Sequence, residues 1–273
     1  MSMNDENDRV VRAEQVEVLE QVFSANRVVT TAQLRRWGLW DAAIELGVLS
    51  RVQTVRTQVT QTTSLRDLEF VAMEHGWLSR PERELKHWSG LAEVWWSVSL
   101  GRRGVWKVLD GRGRAGRRMP DAQVTGLWLD PWAIEIDCGY GMTHIRDKLV
   151  GMAEAGFRRV VWATTVHDRV RRVGWLIDDL WRAGELSTVE EYDVRFCNFW
   201  SREDPYRNRP RCFKRNQFVG ERQVILAVDS GDGPDDVAWD GGDSAAYDGW
   251  TEDGEGWSGG DVEASVLESD AEM

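Results

Sequence analysis

The stretch MPDAQVTGLWLDPWAIEIDCGYGMTHIRDKL, residues 119–149, most constrains how this chain can fold. It holds two short apolar runs, rich in Val, Leu, Ile and Trp, that are separated by the turn-favouring pair Asp130-Pro131. An amphipathic pattern then begins at Met142, and Gly156 is placed to end it. The pattern predicts two adjacent strands followed by a helix, inside a domain that mixes α and β structure.

Both predicted strands carry carboxylates. Asp121 follows Pro120 at the start of the first strand, and Glu135 and Asp137 are two residues apart on the second. Because alternate residues of a strand share a face, Glu135 and Asp137 are expected to point the same way, with Asp121 nearby across a hairpin. Converging carboxylates repel one another unless a cation lies between them.

Oxygen ligands of this kind suit Mg²⁺ or Mn²⁺, which can polarise a phosphodiester and activate water. The sequence therefore predicts such an ion on Asp121 and Glu135, with Lys148 of the following helix stabilising the developing charge. A plainer alternative is that Asp121 caps a turn. Glu135 and Asp137 would then face solvent on an edge strand, paired with Arg146 or Arg158.

Residues 10–64 have the pattern of a winged helix-turn-helix module. An amphipathic helix over 10–26 is followed by two short helices, capped at Thr30 or Thr31 and ended by Gly38 and Gly47. The run VLSRVQTVRTQVTQTT then alternates Val with polar residues, which predicts the paired strands of a wing.

A module of this type binds DNA by placing its last helix in the major groove. That helix carries Asp41 and Glu45 here, and carboxylates repel phosphates. The cations available for DNA lie before and after it, and are Arg35, Arg36, Arg51 and Arg56. Dimerisation, or docking on the second domain, is the alternative use of the module.

Residues 65–228 are expected to form the second domain. Helices are predicted over LRDLEFVAMEHGW and PERELKHWSGLAEVWWSVSL, and a strand over GVWKVLD. After the two central strands come the helix MTHIRDKLVGMAEAG, the buried strand FRRVVWATT, the helix HDRVRRVGWLIDDLWRAG and a further strand, YDVRFCNFW. The predicted order from the second helix onward is helix, three strands, helix, strand, helix.

This order and the acidic residues resemble the PD-(D/E)xK nuclease core, over roughly residues 82–183. The resemblance implies a restriction-endonuclease-like αβββαβ fold whose catalytic residues are Glu93 on the first helix, Asp121, Glu135, Asp137 and Lys148. The position of the family's lysine, two residues after the acid, is Asp137 in this chain. Lys148 would act from the helix instead.

A closer resemblance covers nearly the whole of residues 1–228. The order of elements resembles that of the bacterial replication-relaxation family. The elements that carry the resemblance are the winged helix, the helix ELKHWSGLAEV, the PDA and AIEID strands, the Lys-bearing helix and the strand RRVVWATT. In that family, which is associated with plasmids and other mobile elements, an E-x-D pair is the usual form. The resemblance implies a DNA-associated protein with a nuclease-like fold.

Charge divides the chain unevenly. Residues 229–273 hold 15 of the 46 acidic residues and none of the 34 basic ones, so residues 1–228 carry a small positive excess of three. That tail is rich in Gly and Asp and lacks a sustained apolar period, so it is predicted to be disordered. It is expected either to stay solvated or to dock on the protein's own basic surface or on a partner protein.

A second charged segment is the Gly/Arg run GRGRAGRR, predicted as a loop that contacts phosphates through its arginines, Arg112, Arg114, Arg117 and Arg118. The chain shows neither a signal peptide nor a membrane span, so a cytoplasmic location is expected. The three cysteines indicate neither a disulfide framework nor a metal site.

The leading interpretation is a cytoplasmic DNA-binding protein of a plasmid or other mobile element, with a homodimer left open. Its second domain would hydrolyse phosphodiesters with a divalent metal if it is an enzyme. The alternative is a non-catalytic regulator of replication or transcription that keeps the nuclease fold for contacts with DNA or protein.

Overall fold

The structure is a computed structural model and describes residues 3–58, 63–98, 104–109, 119–126, 129–202 and 217–221. Residues 1–224 form one compact unit, and residues 225–273 lie outside the described part. The chain has a mixed α/β fold with two sheets. The predicted acidic tail and the arginines Arg112, Arg114, Arg117 and Arg118 also lie outside the described residues.

The N-terminal part of the chain is three helices and a three-stranded sheet. Its elements in chain order are α1 (Met3–Ala25), β1 (Val29–Thr30), α2 (Thr31–Arg36), α3 (Trp40–Leu46), β2 (Leu49–Gln58) and β3 (Thr63–Ala72). The three helices confirm the sequence prediction. Thr30 caps α2 through a capping box with Gln33, and Gly47, at φ 73°, ends α3.

The hairpin of β2 and β3 is longer than predicted. The segment from Leu65 to Trp77 was expected to be a helix, but β3 pairs with β2 in antiparallel register up to Ala72, and β1 adds to its other side. Only the short helix α4 (His75–Leu78) remains of that prediction. The spacing of Leu65, Leu68 and Val71 fits a helix, yet pairing with β2 prevails, and the predicted domain boundary at residue 64 falls inside β3.

The remaining elements surround a six-stranded sheet. They are α5 (Glu82–Ser97), β4 (Val105–Val108), β5 (Ala122–Gly126), β6 (Leu129–Asp137), α6 (Met142–Glu154), β7 (Arg159–Thr164), α7 (Arg169–Arg182), β8 (Glu191–Phe196) and β9 (Gln217–Glu221). The order from α5 to α7 is the predicted one. β9 was not predicted, and Asp130-Pro131 lies in β6 instead of in a turn.

The strands of this sheet follow the order β4-β5-β6-β7-β8-β9. The β6–β7 and β7–β8 pairs are parallel, and the other pairs are antiparallel. α6 and α7 pack on one face, where Leu149 and Ile177 meet Trp162 in a buried cluster. α5 packs on the other face.

Gly90 brings α5 unusually close to the sheet. A Cβ at this position would lie 2.7 Å from Cγ1 of Ile136, which is nearer than side-chain packing allows. The helix therefore rests directly on β6, the strand that carries Glu135.

A single core joins the hairpin to the larger sheet. Val55 of β2 and Phe70 of β3 belong to the same buried cluster as Leu91 of α5 and Ile134 and Ile136 of β6. The N-terminal helices have a smaller cluster of their own, which also includes Ala92 and Trp95 of α5. None of the described helices has the length and apolar character needed to cross a membrane.

Candidate functional site

Two carboxylates and a lysine meet where β5 begins beside β6. Glu135 is fully buried on β6, on the face covered by α6, and its Oε1 accepts a hydrogen bond of 2.5 Å from Nζ of Lys148. Nζ also lies 3.6 Å from Oδ1 of Asp121. Three of the five residues predicted to be catalytic are therefore brought together.

The backbone of β6 holds Asp121 in place. The Asp121 side chain accepts a hydrogen bond of 2.9 Å from the N–H of Ile136 through Oδ2, and its own N–H donates to the carbonyl of Ile134. Its other carboxylate oxygen, Oδ1, is left to face Lys148 and Nε2 of His87, which is 3.5 Å away. Asp121 is thus oriented by a strand, as the hairpin prediction required.

The electrostatics of this cluster are those of buried, interacting charges. Burial is the largest cause that raises the pKa of Glu135 well above its usual value, and the neighbouring Asp121 carboxylate raises it further, against the opposing effect of Lys148. Burial lowers the pKa of Lys148, but Glu135 and Asp121 outweigh it and the net shift is upward. The cluster therefore favours one positive charge and an extra proton on its carboxyl groups.

One carboxylate oxygen in the cluster has no partner within the described part of the chain. Oε2 of Glu135 is buried and accepts no hydrogen bond from any described residue. An unpaired buried oxygen costs free energy, so an additional donor or cation at this point would be favourable. Across the described ranges, however, no three His, Cys, Asp or Glu side chains are grouped so that they could hold a metal ion.

Asp137 shares the face of Glu135 but has a different task. Its carboxylate accepts hydrogen bonds from the backbone N–H groups of Gly139 and Tyr140, at 2.7 and 2.6 Å, and forms an ion pair with Arg169 at 3.1 Å. These contacts account for a fully buried charge. Asp137 therefore shapes the turn after β6, and the expectation that it joins Asp121 and Glu135 is not met.

Glu93 lies elsewhere. Its Oε2 accepts a hydrogen bond of 2.9 Å from Gln33 and forms a 2.5 Å ion pair with Arg36, both on α2. The residue of α5 that contacts Asp121 is His87, which is not among the residues predicted to be catalytic. The only sequence signal for His87 was its position on the predicted helix before the strands.

The arginines predicted to contact DNA also separate into two groups. The guanidinium of Arg36 is nearly buried, and besides Glu93 it donates to the carbonyls of Asn198 and Ser201. Arg36 therefore forms a structural ion pair with Glu93, which corrects the prediction that Arg36 contacts DNA. Of the arginines predicted to contact DNA, the other three in the described part of the chain are exposed: Arg35, Arg51 and Arg56.

Tyr140 was not predicted, and it closes one side of the cluster. Its ring centroid lies 5.7 Å from Nζ of Lys148 and 4.7 Å from the ring of His144. Burial, followed by the charges of Glu135 and Asp121, raises the pKa of its hydroxyl, so Tyr140 remains a neutral donor. The alternative that Glu135 and Asp137 face solvent on an edge strand is wrong, because β6 lies inside the sheet and both side chains are fully buried.

Comparison of the chain with protein-family models, with curated proteins and with solved structures gave no match. The resemblances to the replication-relaxation family and to the PD-(D/E)xK core therefore remain predictions from the sequence.

Proposed function

We propose that this chain is a DNA-binding protein of a plasmid or other mobile element, in which α1 to β3 act as a winged helix and α5 to α7 as a nuclease-like core that hydrolyses phosphodiesters. The observation that carries the proposal is that Asp121, directly before β5, lies beside Glu135 of β6 and Lys148 of α6. Buried carboxylates with a neighbouring ammonium are an arrangement suited to phosphoryl chemistry.

The donor set suits a hard divalent cation such as Mg²⁺ or Mn²⁺. Asp121 and Glu135 supply carboxylate oxygens, and Oε2 of Glu135 has no partner among the described residues. Since no third protein ligand is grouped with them there, water and substrate phosphate would complete the shell, which is how Mg²⁺ is often held. The bound ion supplies polarisation of the phosphodiester and activation of water.

The chain's own residues have separate roles in this scheme. Lys148 provides a positive charge that offsets negative charge developing on the phosphate. The Ile136 N–H fixes the direction of the Asp121 carboxylate, and Tyr140 limits the access of water to Lys148 from one side. Glu93 and Asp137 act on the fold and do not contact the reacting groups.

Nucleic acid would be recruited by the N-terminal part. This part of the chain is the one whose sequence resembles a winged helix, and it has three exposed cations. They are Arg35, which lies beside α3, and Arg51 and Arg56, which lie on β2. On α3 itself, Glu45 forms an ion pair with Arg12 at 3.1 Å, so part of the acidic charge that would repel phosphates is balanced.

The test is nicking of supercoiled DNA in Mg²⁺ or Mn²⁺ by the full-length protein. We expect nicking by the wild type, loss of nicking in Asp121→Asn and in Glu135→Gln, and unchanged nicking in Asp179→Asn. The Asp179 carboxylate is exposed on α7 and pairs with Arg182, so it controls for a changed surface charge. Wild-type protein that binds DNA but does not nick it in either metal removes the hydrolytic proposal.

A second candidate function is a non-catalytic DNA-binding regulator. It is favoured by the position of Lys148, whose ammonium already contacts both carboxylates and so forms an internal salt bridge. In that case neither substitution at Asp121 or Glu135 changes DNA binding, and divalent metal has no effect on the protein's thermal stability.

A further inference from the structure

A small cavity lies next to the cluster of Asp121, Glu135 and Lys148, which we call the acidic cluster. The cavity is between the β2–β3 hairpin and the six-stranded sheet. It has a volume of about 70 Å³, and its walls include Arg56 of β2, Lys86 of α5, Cys138 after β6, Thr165 after β7 and Trp200 after β8. We call it the Thr165 cavity. Its residues come from both the N-terminal part and the larger sheet, which share one core.

Cys138 ties the Thr165 cavity to the acidic cluster. Cys138 directly follows Asp137 on the chain, and the nearby carboxylates affect the pKa of its thiol. Burial and then the charge of Asp137 raise the pKa of the thiol to about 12, with smaller effects in the same direction from Asp121 and Glu135. The thiol is therefore neutral near pH 7 and adds no negative charge to the wall of the cavity.

The cavity wall contains hydrogen-bond donors that are not all paired within the described part of the chain. Thr165 is only 5% exposed, and among the described residues its hydroxyl has no hydrogen-bond partner, although its backbone N–H donates to the carbonyl of Asp137. The ammonium group of Lys86 has three N–H donors, of which the carbonyl of Arg56 and the carboxylate of Glu82 use two, each at 3.0 Å. Donors in a cavity that are free to pair favour a ligand that accepts hydrogen bonds.

We propose that the Thr165 cavity binds a backbone phosphate of the nucleic acid that the acidic cluster acts on. A hydroxyl, an ammonium group and a neutral thiol suit an oxyanion. The volume is far below the roughly 300–1,000 Å³ of pockets for drug-sized ligands, so one phosphate group fits and a whole nucleotide does not. This inference rests on the proposed nucleic-acid function and deepens it, since it places the strand between the hairpin and β6.

The experiment measures binding of a fluorescein-labelled DNA duplex and of its single strand by fluorescence polarisation, with EDTA present so that cleavage does not interfere. The variants are Thr165→Val, which replaces the hydroxyl by a methyl group of similar size, and Lys86→Gln. Thr188→Val is the matched control, because its hydroxyl bonds to the carbonyl of Ala153 and it precedes β8, at the other end of the parallel strands. Inorganic phosphate, followed by phosphorus NMR, is a second probe.

We expect Thr165→Val and Lys86→Gln each to bind DNA about tenfold more weakly than wild type, as for loss of one charge-assisted hydrogen bond, while Thr188→Val binds normally. Thermal unfolding of Thr165→Val should be unchanged, since the lost hydroxyl has no hydrogen-bond partner among the described residues. Phosphate binding should fall in the same two variants.

The failures are distinguishable. If wild type and both variants bind DNA equally, the phosphate subsite is wrong and the proposed function is untouched. If wild type binds no DNA but binds phosphate in a Thr165-dependent way, the proposed function fails and the anion site remains. If it binds neither probe, both are overturned.

Discussion

The ammonium group of Lys148 lies 2.5 Å from Oε1 of Glu135, and both side chains are almost sealed from solvent. Because Asp121 is also within 3.6 Å, the fold holds one cation against two carboxyl groups. Breaking a buried ion pair on one side leaves a charge without compensation, so the cluster is sensitive to single substitutions.

The first prediction concerns the lysine. Lys148→Met should lower the free energy of unfolding by about 3 kcal/mol, because Glu135 and Asp121 lose their shared cation. Urea denaturation measures the change. Lys107→Met, on an exposed position of β4, is the control and should have little effect. Equal midpoints for the two variants would show that Lys148 is not a buried counter-ion.

The second prediction is a pH dependence. Burial, and then the charge of Asp121, raises the pKa of Glu135 in the folded protein above its ordinary value of 4.5, so the protonated form is the one that folding favours. Its contribution to stability is full below pH 4.5 and is lost as the pH rises through the folded-state pKa. In EDTA, wild type should therefore lose stability relative to Glu135→Gln as the pH is raised from 4.5. Parallel stability curves for the two proteins contradict the shift.

The third prediction separates two adjacent arginines. Arg36→Met should destabilise the protein by about 3 kcal/mol, because Glu93 is left buried without its partner. Arg35→Ala removes an exposed guanidinium 5.1 Å from the ring of Trp40 and should cost about 1 kcal/mol or less. Chemical denaturation gives both values. DNA affinity should follow the opposite order, with Arg35→Ala the weaker binder when each variant is measured folded.

The fourth prediction tests the close approach of α5 to β6. Gly90→Ala should destabilise the protein by about 1–3 kcal/mol, since the new methyl group overlaps Ile136. Gly76→Ala is the control, because nothing lies within 4 Å of a Cβ built there. Thermal melting compares them, and a Gly90→Ala midpoint at or above that of Gly76→Ala would show that α5 moves aside freely.

Local signals in the sequence predicted most of the elements correctly. Thr30 and Gly47 mark helix ends because they act on the backbone beside them, and the alternation of Glu135 and Asp137 placed both on one face. The segment after Leu65 was mistaken for a helix because its apolar spacing suits either structure, and only pairing with β2 decides it.

The partners of the charged residues were harder to predict. Glu93 and His87 lie on the same helix, and nothing in the local pattern shows that one faces α2 while the other faces Asp121. Arg36 looks like a surface cation until the chain after β8 covers it with the carbonyls of Asn198 and Ser201. Such contacts join distant parts of the chain, so single-sequence periodicity contains no record of them.

The core that includes both Phe70 and Ile134 makes the hairpin and the larger sheet one mechanical piece. Under the proposed function, a DNA duplex bound by the hairpin would therefore meet Asp121 and Glu135 at a constant distance and rotation along its helix axis. Any strand break would then fall at a fixed number of base pairs from the sequence that the hairpin binds.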